Sequence, residues 1–241
     1  MGNSKKYKNK LCAFCRNERS FTGDHIFPRK FFAEKDRNNL PQAPVCKRCN
    51  VKKSKLELYI STVLPFGGHH YNALDELSNQ VPKRLNKNHK LHQEIRTSQQ
   101  NIYYRTENGS TIKAMAIDFD SENIYEFSRY AVKGLMWKHW GKYLPLSHSV
   151  KAFSPSEKGV LFTEKLFSSI QTDLTVDVRL GIDTIKYSGK MQNYDENDIS
   201  VWKIYFFGGI QVAFKSEAVI VPDSYISVIT GPPELLDRYI S

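Results

Sequence analysis

The four cysteines of the 241-residue chain constrain its fold more than any other feature, because they form two C-x-x-C pairs. The pairs are "CAFC" (Cys12 and Cys15) and "CKRC" (Cys46 and Cys49), with 30 residues between them. A two-residue spacing allows both thiolates of a pair to turn toward one ion, and two such pairs are typical of a zinc site. Two disulfides are the alternative, which a reducing compartment disfavours. We therefore predict one structural zinc ion bound by all four cysteines.

The composition is ordinary for a globular protein, with 40% hydrophobic and 25% charged residues. The first residues, "MGNSKKYKNK", are polar and rich in lysine, unlike the apolar segment of a secretory signal. No stretch approaches the 18 consecutive apolar residues expected of a membrane span. We therefore expect a cytoplasmic protein that does not enter a membrane.

The net charge of +10 is concentrated in the first quarter of the chain. Residues 1–60 contain 15 Lys/Arg and 5 Asp/Glu, whereas residues 61–241 contain 20 of each sign. A concentrated basic segment favours a polyanionic partner, although a solvated lysine-rich terminus accounts equally well for residues 5–10. The candidate nucleic-acid contacts are the basic residues that lie among the Cys and His residues: Arg29, Lys30, Lys47, Arg48, Lys52 and Lys53.

The segment between the cysteine pairs contains "GDHIFP", and the second pair continues directly into "CNVKK". Hydrolysis of a phosphodiester requires an activated water and stabilisation of the charge on the departing oxygen. His25 has a suitable pKa for a general base, and the oxygens of Asp24 and Asn50 suit Mg2+ or Mn2+. Each residue also has a structural interpretation: Asp24 as a turn residue, His25 as a hydrogen-bonded structural histidine, and Asn50 as a helix N-cap.

Taken together, residues 12–55 resemble the HNH endonuclease family, whose ββα-metal module often carries two C-x-x-C pairs. The first pair precedes a "[DE]-H-[IV]-x-P" strand, here "DHIFP", and the second runs into "C-N-x-x-K", here "CNVKK". The resemblance covers residues 10–60 and extends to small bacterial and phage HNH proteins. It implies a hairpin over a helix that begins near Asn50, with His25 as general base. It also implies one divalent cation held by Asp24 and Asn50, and a zinc ion that fastens the hairpin to the helix.

The family usually has a further asparagine that orients the catalytic histidine. Here Asn39 is the candidate, although it lies seven residues before Cys46, farther than is usual in the family. Asn38 is the alternative.

The rest of the chain predicts a larger α+β domain with an antiparallel sheet. The elements predicted are a helix after Asn50, a polar helix over residues 71–100, a β-hairpin from "NIYYRT" and "TIKAMAID", and a helix over residues 121–143 with Ser121 as N-cap. Strand-like runs follow, with a hairpin turn at Gly208–Gly209, and "GPPELLDR" is predicted to be a loop. His69 and His70 are predicted to lie in an exposed loop. The predicted units are an HNH module (1–64), a helical connector (65–100) and an α+β domain (101–241).

These observations favour a metal-dependent HNH endonuclease that cleaves DNA, with RNA as a second possible substrate, structural zinc and catalytic Mg2+ or Mn2+. One alternative is a non-catalytic zinc module that binds nucleic acid or a protein. Another is a module whose basic segment docks an acidic partner. Asp24 discriminates between the nuclease and the non-catalytic zinc module, because a carboxylate that faces phosphate without a metal is repelled. The C-terminal domain is expected to select the target, form a homodimer or bind a regulatory partner.

Overall fold

The computed structural model describes residues 4–68, 70–105, 110–192, 198–213 and 220–239. The helices are α1 (Ser4–Tyr7), α2 (Lys47–Val63), α3 (Tyr71–Asp75), α4 (Val81–Lys87), α5 (His89–Ser98), α6 (Ser121–Trp140), α7 (Glu157–Ser169) and α8 (Pro233–Tyr239). The strands are β1 (Thr22–His25), β2 (Gln42–Val45), β3 (Gln100–Arg105), β4 (Thr111–Ala116), β5 (Ser149–Phe153), β6 (Thr175–Leu180), β7 (Ile185–Gln192), β8 (Ile199–Phe206), β9 (Ile210–Ala213), β10 (Ile220–Ser224) and β11 (Ile226–Gly231).

The N-terminal part has the chain order strand, strand, helix. Strand β1 pairs antiparallel with β2, so that Asp24 lies opposite Ala43 and His25 lies opposite Gln42. Helix α2 follows β2 at once, because Cys46 acts as its N-cap: the Cys46 Sγ accepts a hydrogen bond from the backbone N–H of Cys49. The second cysteine pair therefore forms the junction between the hairpin and the helix.

An antiparallel sheet forms the C-terminal part. Among the described residues its strand order is β5-β11-β8-β7-β6, and every neighbouring pair is antiparallel. Helix α6 contacts α2 and β2 on one side and β5 and β11 on the other, so it lies between the N-terminal hairpin and the sheet. The α+β class with an antiparallel sheet is thus confirmed.

One buried apolar cluster contains residues from both parts of the chain. The ring of Phe31 lies 4.9 Å from that of Phe207, and the ring of Phe27 lies 5.5 Å from that of Tyr187. These aromatic contacts join the segment after β1 to the sheet. The domain boundaries at residues 64 and 100 stay a prediction, and this apolar core extends across both.

Several predicted elements differ from the observed ones. The polar helix over residues 71–100 is interrupted, with a π-helical segment at Glu76–Gln80 between α3 and α4 and a break at Asn88, which caps α5. The "GPPELLDR" segment forms helix α8 and not a loop, since proline is well tolerated in the first turn of a helix. Helix α6 begins with Asp120 as its N-cap, so the assignment of Ser121 was wrong.

The predicted hairpins have different outcomes. Strands β3 and β4 pair antiparallel over their whole length, which confirms the first hairpin. At the second, Gly208 and Gly209 adopt positive φ angles of 78° and 115°, but among the described residues β9 pairs with β10 and not with β8, so the prediction of a hairpin here was wrong. Of the histidine pair, His69 lies outside the described residues, and the ring Nδ1 of His70 accepts from the backbone of Asn72 and caps α3.

Candidate functional site

The four cysteine thiols lie together, with every Sγ within 4.8 Å of the others. All four are free of disulfide bonds; Cys12, Cys46 and Cys49 are buried and Cys15 is partly exposed. The Sγ atoms of Cys15 and Cys46 are 3.8 Å apart. In a tetrahedral zinc site with Zn–S bonds of about 2.3 Å, the sulfurs lie about 3.8 Å from one another. The cluster can therefore bind a metal ion such as zinc.

Local backbone turns bring each cysteine pair to the cluster. In the first pair the backbone N–H of Arg16 donates to the carbonyl of Cys12 at 3.0 Å, and Arg16 has a left-handed φ of 55°. The N–H of Ala13 donates to the carbonyl of Pro44 at 2.9 Å, which ties this turn to β2. The second pair occupies the N-cap and first turn of α2. Hydrogen bonds within each turn and between the turns thus assemble the four sulfurs.

The thiols of the cluster have divergent pKa values. The Cys49 thiol donates to the sulfur of Cys12, which lowers the pKa of Cys12 to about 4 and raises the pKa of Cys49. Burial raises the pKa of Cys46 to about 11. Without a cation the cluster therefore accommodates few thiolates, whereas a bound metal ion would stabilise the deprotonated forms.

Asp24 and His25 are adjacent at the end of β1. The Nε2 of His25 lies 3.0 Å from the side-chain amide nitrogen of Gln42, its cross-strand partner. Burial lowers the pKa of His25, and the nearby charge of Asp24 only partly opposes this. The imidazole is therefore neutral at pH 7 and able to accept a proton. Gln42 was not identified from the sequence, although pairing the "TGDH" and "QAPV" strands would have revealed it.

The carboxylate of Asp24 is bound by a lysine from α2. The Nζ of Lys53 lies 2.9 Å from Asp24 Oδ2, 2.6 Å from the backbone oxygen of His25 and 2.5 Å from Glu57 Oε1. The Lys53 side chain has no exposed surface. Lys53 was predicted to contact nucleic acid; its burial excludes such a contact in this conformation. Glu57 was missed from the sequence, and burial raises its pKa even though Lys53 opposes the shift.

Asn50 lies in the first turns of α2 and is partly exposed. Its backbone N–H donates to the carbonyl of Cys46 within the helix, and Cys46 is the N-cap, so the interpretation of Asn50 as the cap was wrong. Asn50, Lys53 and Glu57 are spaced so that they share one face of α2. Since Lys53 on this face reaches Asp24, the face is directed toward β1.

Asn39, the residue predicted to orient His25, lies in the segment between β1 and β2. It is exposed and adopts a left-handed φ of 60°, a conformation that asparagine tolerates in turns. The side chain that contacts the imidazole is that of Gln42. The orienting role assigned to Asn39, or to the equally exposed Asn38, stays a prediction.

The remaining candidate nucleic-acid contacts differ in exposure. Arg29, Lys47, Arg48 and Lys52 are exposed, and Lys30 is partly buried. Burial lowers the pKa of Lys30, and the charge of Arg84 acts in the same direction. A cleft of about 390 Å3 beside the cysteine cluster is lined by several basic side chains: Arg16, Arg48, Lys52 and Lys133. One of these side chains, Arg48, forms an ion pair with Glu18, with 3.0 Å between Nε and Oε1.

Comparisons of the chain with protein-family models, with curated proteins and with solved structures find no match. In the part of the chain that the structure describes, no helix combines the length and apolar character needed to cross a membrane.

Proposed function

We propose that the protein is a metal-dependent endonuclease of the HNH type that hydrolyses phosphodiester bonds in DNA. The observation that carries this proposal is the order of β1, β2 and α2, with the Asp24–His25 pair on the first strand and the four-cysteine cluster at the strand–helix junction. The sequence motifs and this local topology both fit a ββα-metal module.

In this proposal His25 is the general base. For Nδ1 to accept a proton from the attacking water, Nε2 must carry the ring hydrogen, which requires the Gln42 amide to turn its oxygen, in place of its nitrogen, toward Nε2. The lowered pKa keeps the imidazole as a whole neutral at pH 7, as a general base requires. A divalent cation held by Asp24 and Asn50 would offset the charge that develops on the phosphate and on the leaving oxygen.

The other residues have supporting roles. Zinc bound by the four cysteines would fasten the hairpin to α2 and take no part in the chemistry. The exposed side chains of Arg29, Lys47, Arg48 and Lys52 would supply affinity for the phosphate backbone without specifying a sequence.

The test is cleavage of supercoiled plasmid by the purified full-length protein with Mg2+ or Mn2+. We expect nicked or linear product, and a loss of about 100-fold or more in His25→Ala, the range expected for removal of a general base. His92→Ala, which removes an exposed histidine of α5, is the matched control and should cleave as the wild type does. Equal activity in the wild type and His25→Ala would identify a contaminant and refute the assignment.

A non-catalytic zinc module that binds nucleic acid is the second candidate, and one contact favours it. The Asp24 carboxylate is neutralised by Lys53 at 2.9 Å, which removes the repulsion that a bare carboxylate would exert on phosphate. This candidate predicts DNA binding that needs no added Mg2+ or Mn2+ and that His25→Ala leaves unchanged, with no cleavage under any metal condition. Fluorescence anisotropy with labelled DNA would measure it.

A further inference from the structure

The ammonium of Lys53 sits in a cage of three oxygens that come from two elements. Strand β1 contributes Asp24 Oδ2 and the backbone oxygen of His25, and α2 contributes Glu57 Oε1; all three lie 2.5–2.9 Å from Nζ. The Lys53 side chain is fully buried, whereas the side chains of Asp24 and Glu57 retain 22% and 19% exposure. The cage is therefore closed around the ammonium and open to solvent at its carboxylates.

The chemistry of this cage suits a metal cation as well as an ammonium. Carboxylate and carbonyl oxygens are the donors that Mg2+, Mn2+ and Ca2+ prefer. Two carboxylates and one ammonium leave one excess negative charge, and a divalent cation in place of the ammonium would neutralise both carboxylates. A divalent cation and a charged Lys53 could not share the cage, because two cations at such a distance repel strongly.

We propose that Lys53 and a divalent cation compete for this cage, so that Lys53 closes the metal site of the resting protein. Glu57 is then a metal ligand in addition to Asp24. This inference rests on the proposed function and deepens it, because it assigns a ligand that sequence motifs did not indicate. It also gives the buried lysine a role: the ammonium must leave before metal can enter.

The first experiment measures Mn2+ affinity of the full-length, zinc-loaded protein by electron paramagnetic resonance. We expect Lys53→Met to bind Mn2+ about tenfold more tightly than the wild type or better, since the number and charge of available ligands tune such affinities. Adding Glu57→Gln to Lys53→Met should remove this gain. Lys55→Met, which removes an exposed lysine of the same helix, is the matched control and should bind Mn2+ as the wild type does.

A second measurement uses the wild type alone and does not depend on how Lys53→Met folds. Acetylation of lysines with acetic anhydride, read by mass spectrometry, should modify Lys53 slowly without metal and several-fold faster with saturating Mn2+. Modification of Lys52 should not change. Equal Lys53 modification with and without Mn2+, or a folded Lys53→Met that binds Mn2+ no more tightly than the wild type, would overturn the competition.

These readouts are separate from cleavage. If Lys53 and Mn2+ compete but the protein does not cleave DNA, the nuclease proposal is refuted and the assignment of the cage as a metal site is supported. If metal-dependent cleavage requires His25 but Lys53 and Mn2+ do not compete, the nuclease proposal is supported and the assignment of the cage is refuted.

Discussion

Residues 12–63 bury three cysteine thiols and a lysine ammonium, whereas the interior of the sheet is filled by apolar side chains such as Trp202, Ile204 and Phe206. Buried polar side chains of the sheet include hydroxyls that pair with other hydroxyls, as Ser200 does with Thr230 at 2.7 Å and Ser227 with Thr163 of α7 at 3.3 Å. Residues 12–63 thus bury ionisable groups, whereas the interior of the sheet is largely apolar. An apolar interior is stable by itself, but clustered thiols and charges require a bound ion or a close partner.

The two parts also differ in charge. All of the net charge of +10 lies in residues 1–60, and the remainder is balanced. Every group with candidate chemistry, from the cysteines to Asp24, His25 and Lys53, lies in that basic part. The difference suggests a division of labour in which the sheet supplies intrinsic stability and the N-terminal part has its stability coupled to ligands.

The largest expected effect is that of Cys46→Ser. Structural zinc contributes about 10–16 kcal/mol of binding free energy, comparable with the 5–15 kcal/mol that stabilises a whole domain. We expect zinc content to fall toward zero and the amides of β2 and α2 to lose protection from hydrogen exchange. The amides of β7, β8 and β11 should remain protected, since their hydrogen bonds lie within the sheet. Metal analysis and hydrogen-exchange mass spectrometry would measure both.

Ser54→Ala, an exposed change on the same helix, is the control and should leave both quantities unchanged. If amides throughout the chain, including those of the sheet, lost protection from hydrogen exchange, the stability of the two parts would not be separable. That result would show that the aromatic contacts between Phe27, Phe31 and the sheet make both parts one cooperative unit.

The second prediction concerns the sheet alone. Trp202 is fully buried and lies opposite Gly189, where an added Cβ would come within 2.3 Å of the indole ring. We expect Trp202→Ala to lower the free energy of unfolding by about 3–5 kcal/mol and Gly189→Ala to lower it by about 1–3 kcal/mol. The double variant should lose less than both together, because the smaller side chain at 202 leaves room for the new methyl group.

Urea denaturation of the four proteins in this cycle would measure the coupling. Zinc content should stay unchanged in all of them, which sharpens the contrast with Cys46→Ser. Strictly additive losses would mean that the strain at Gly189 does not come from Trp202.

The sequence predicted features that depend on short spacings. The two C-x-x-C pairs predicted the thiol cluster, because a two-residue spacing fixes where both sulfurs point. Strand-like runs and the short connection between two of them likewise predicted the antiparallel sheet and the hairpin of β3 and β4. In these cases neighbouring residues determine the outcome, so a single segment contains the information.

Features that depend on contacts between distant segments could not be predicted. Lys53 was predicted to contact nucleic acid, and its burial could not be foreseen because it depends on β1 and on Phe127 of α6, whose ring lies 5.7 Å from Nζ. Glu57 carries no motif, and only its contact with Lys53 identifies it. Gln42 became apparent from the strand register. Cys46 displaced Asn50 as the helix cap because a thiol can accept the same hydrogen bond.

The smallest expected effect concerns the loss of stability in mild acid and the part of the protein from which it arises. His139 of α6 lies with Nε2 3.0 Å from the hydroxyl of Tyr187 in the sheet, and burial lowers its pKa below the ordinary value of 6.5. The unfolded chain therefore binds a proton at higher pH than the folded protein. His139 thus contributes stability that is present above about pH 6.5 and is lost as the pH falls through the folded pKa.

We expect the free energy of unfolding in urea to fall between pH 7 and pH 5.5, and His139→Gln to fall less steeply. The difference in slope should be no more than about 1.4 kcal/mol per pH unit, the limit for one proton. Glutamine retains a polar group for Tyr187, and His92→Gln on the exposed face of α5 is the control. Burial also lowers the pKa of His25, so a slope that changes only in His25→Gln would place the acid sensitivity in the N-terminal part. In that case the sheet and its packed helix would be insensitive to mild acid, and the contrast between the two parts would extend to pH as well as to metal.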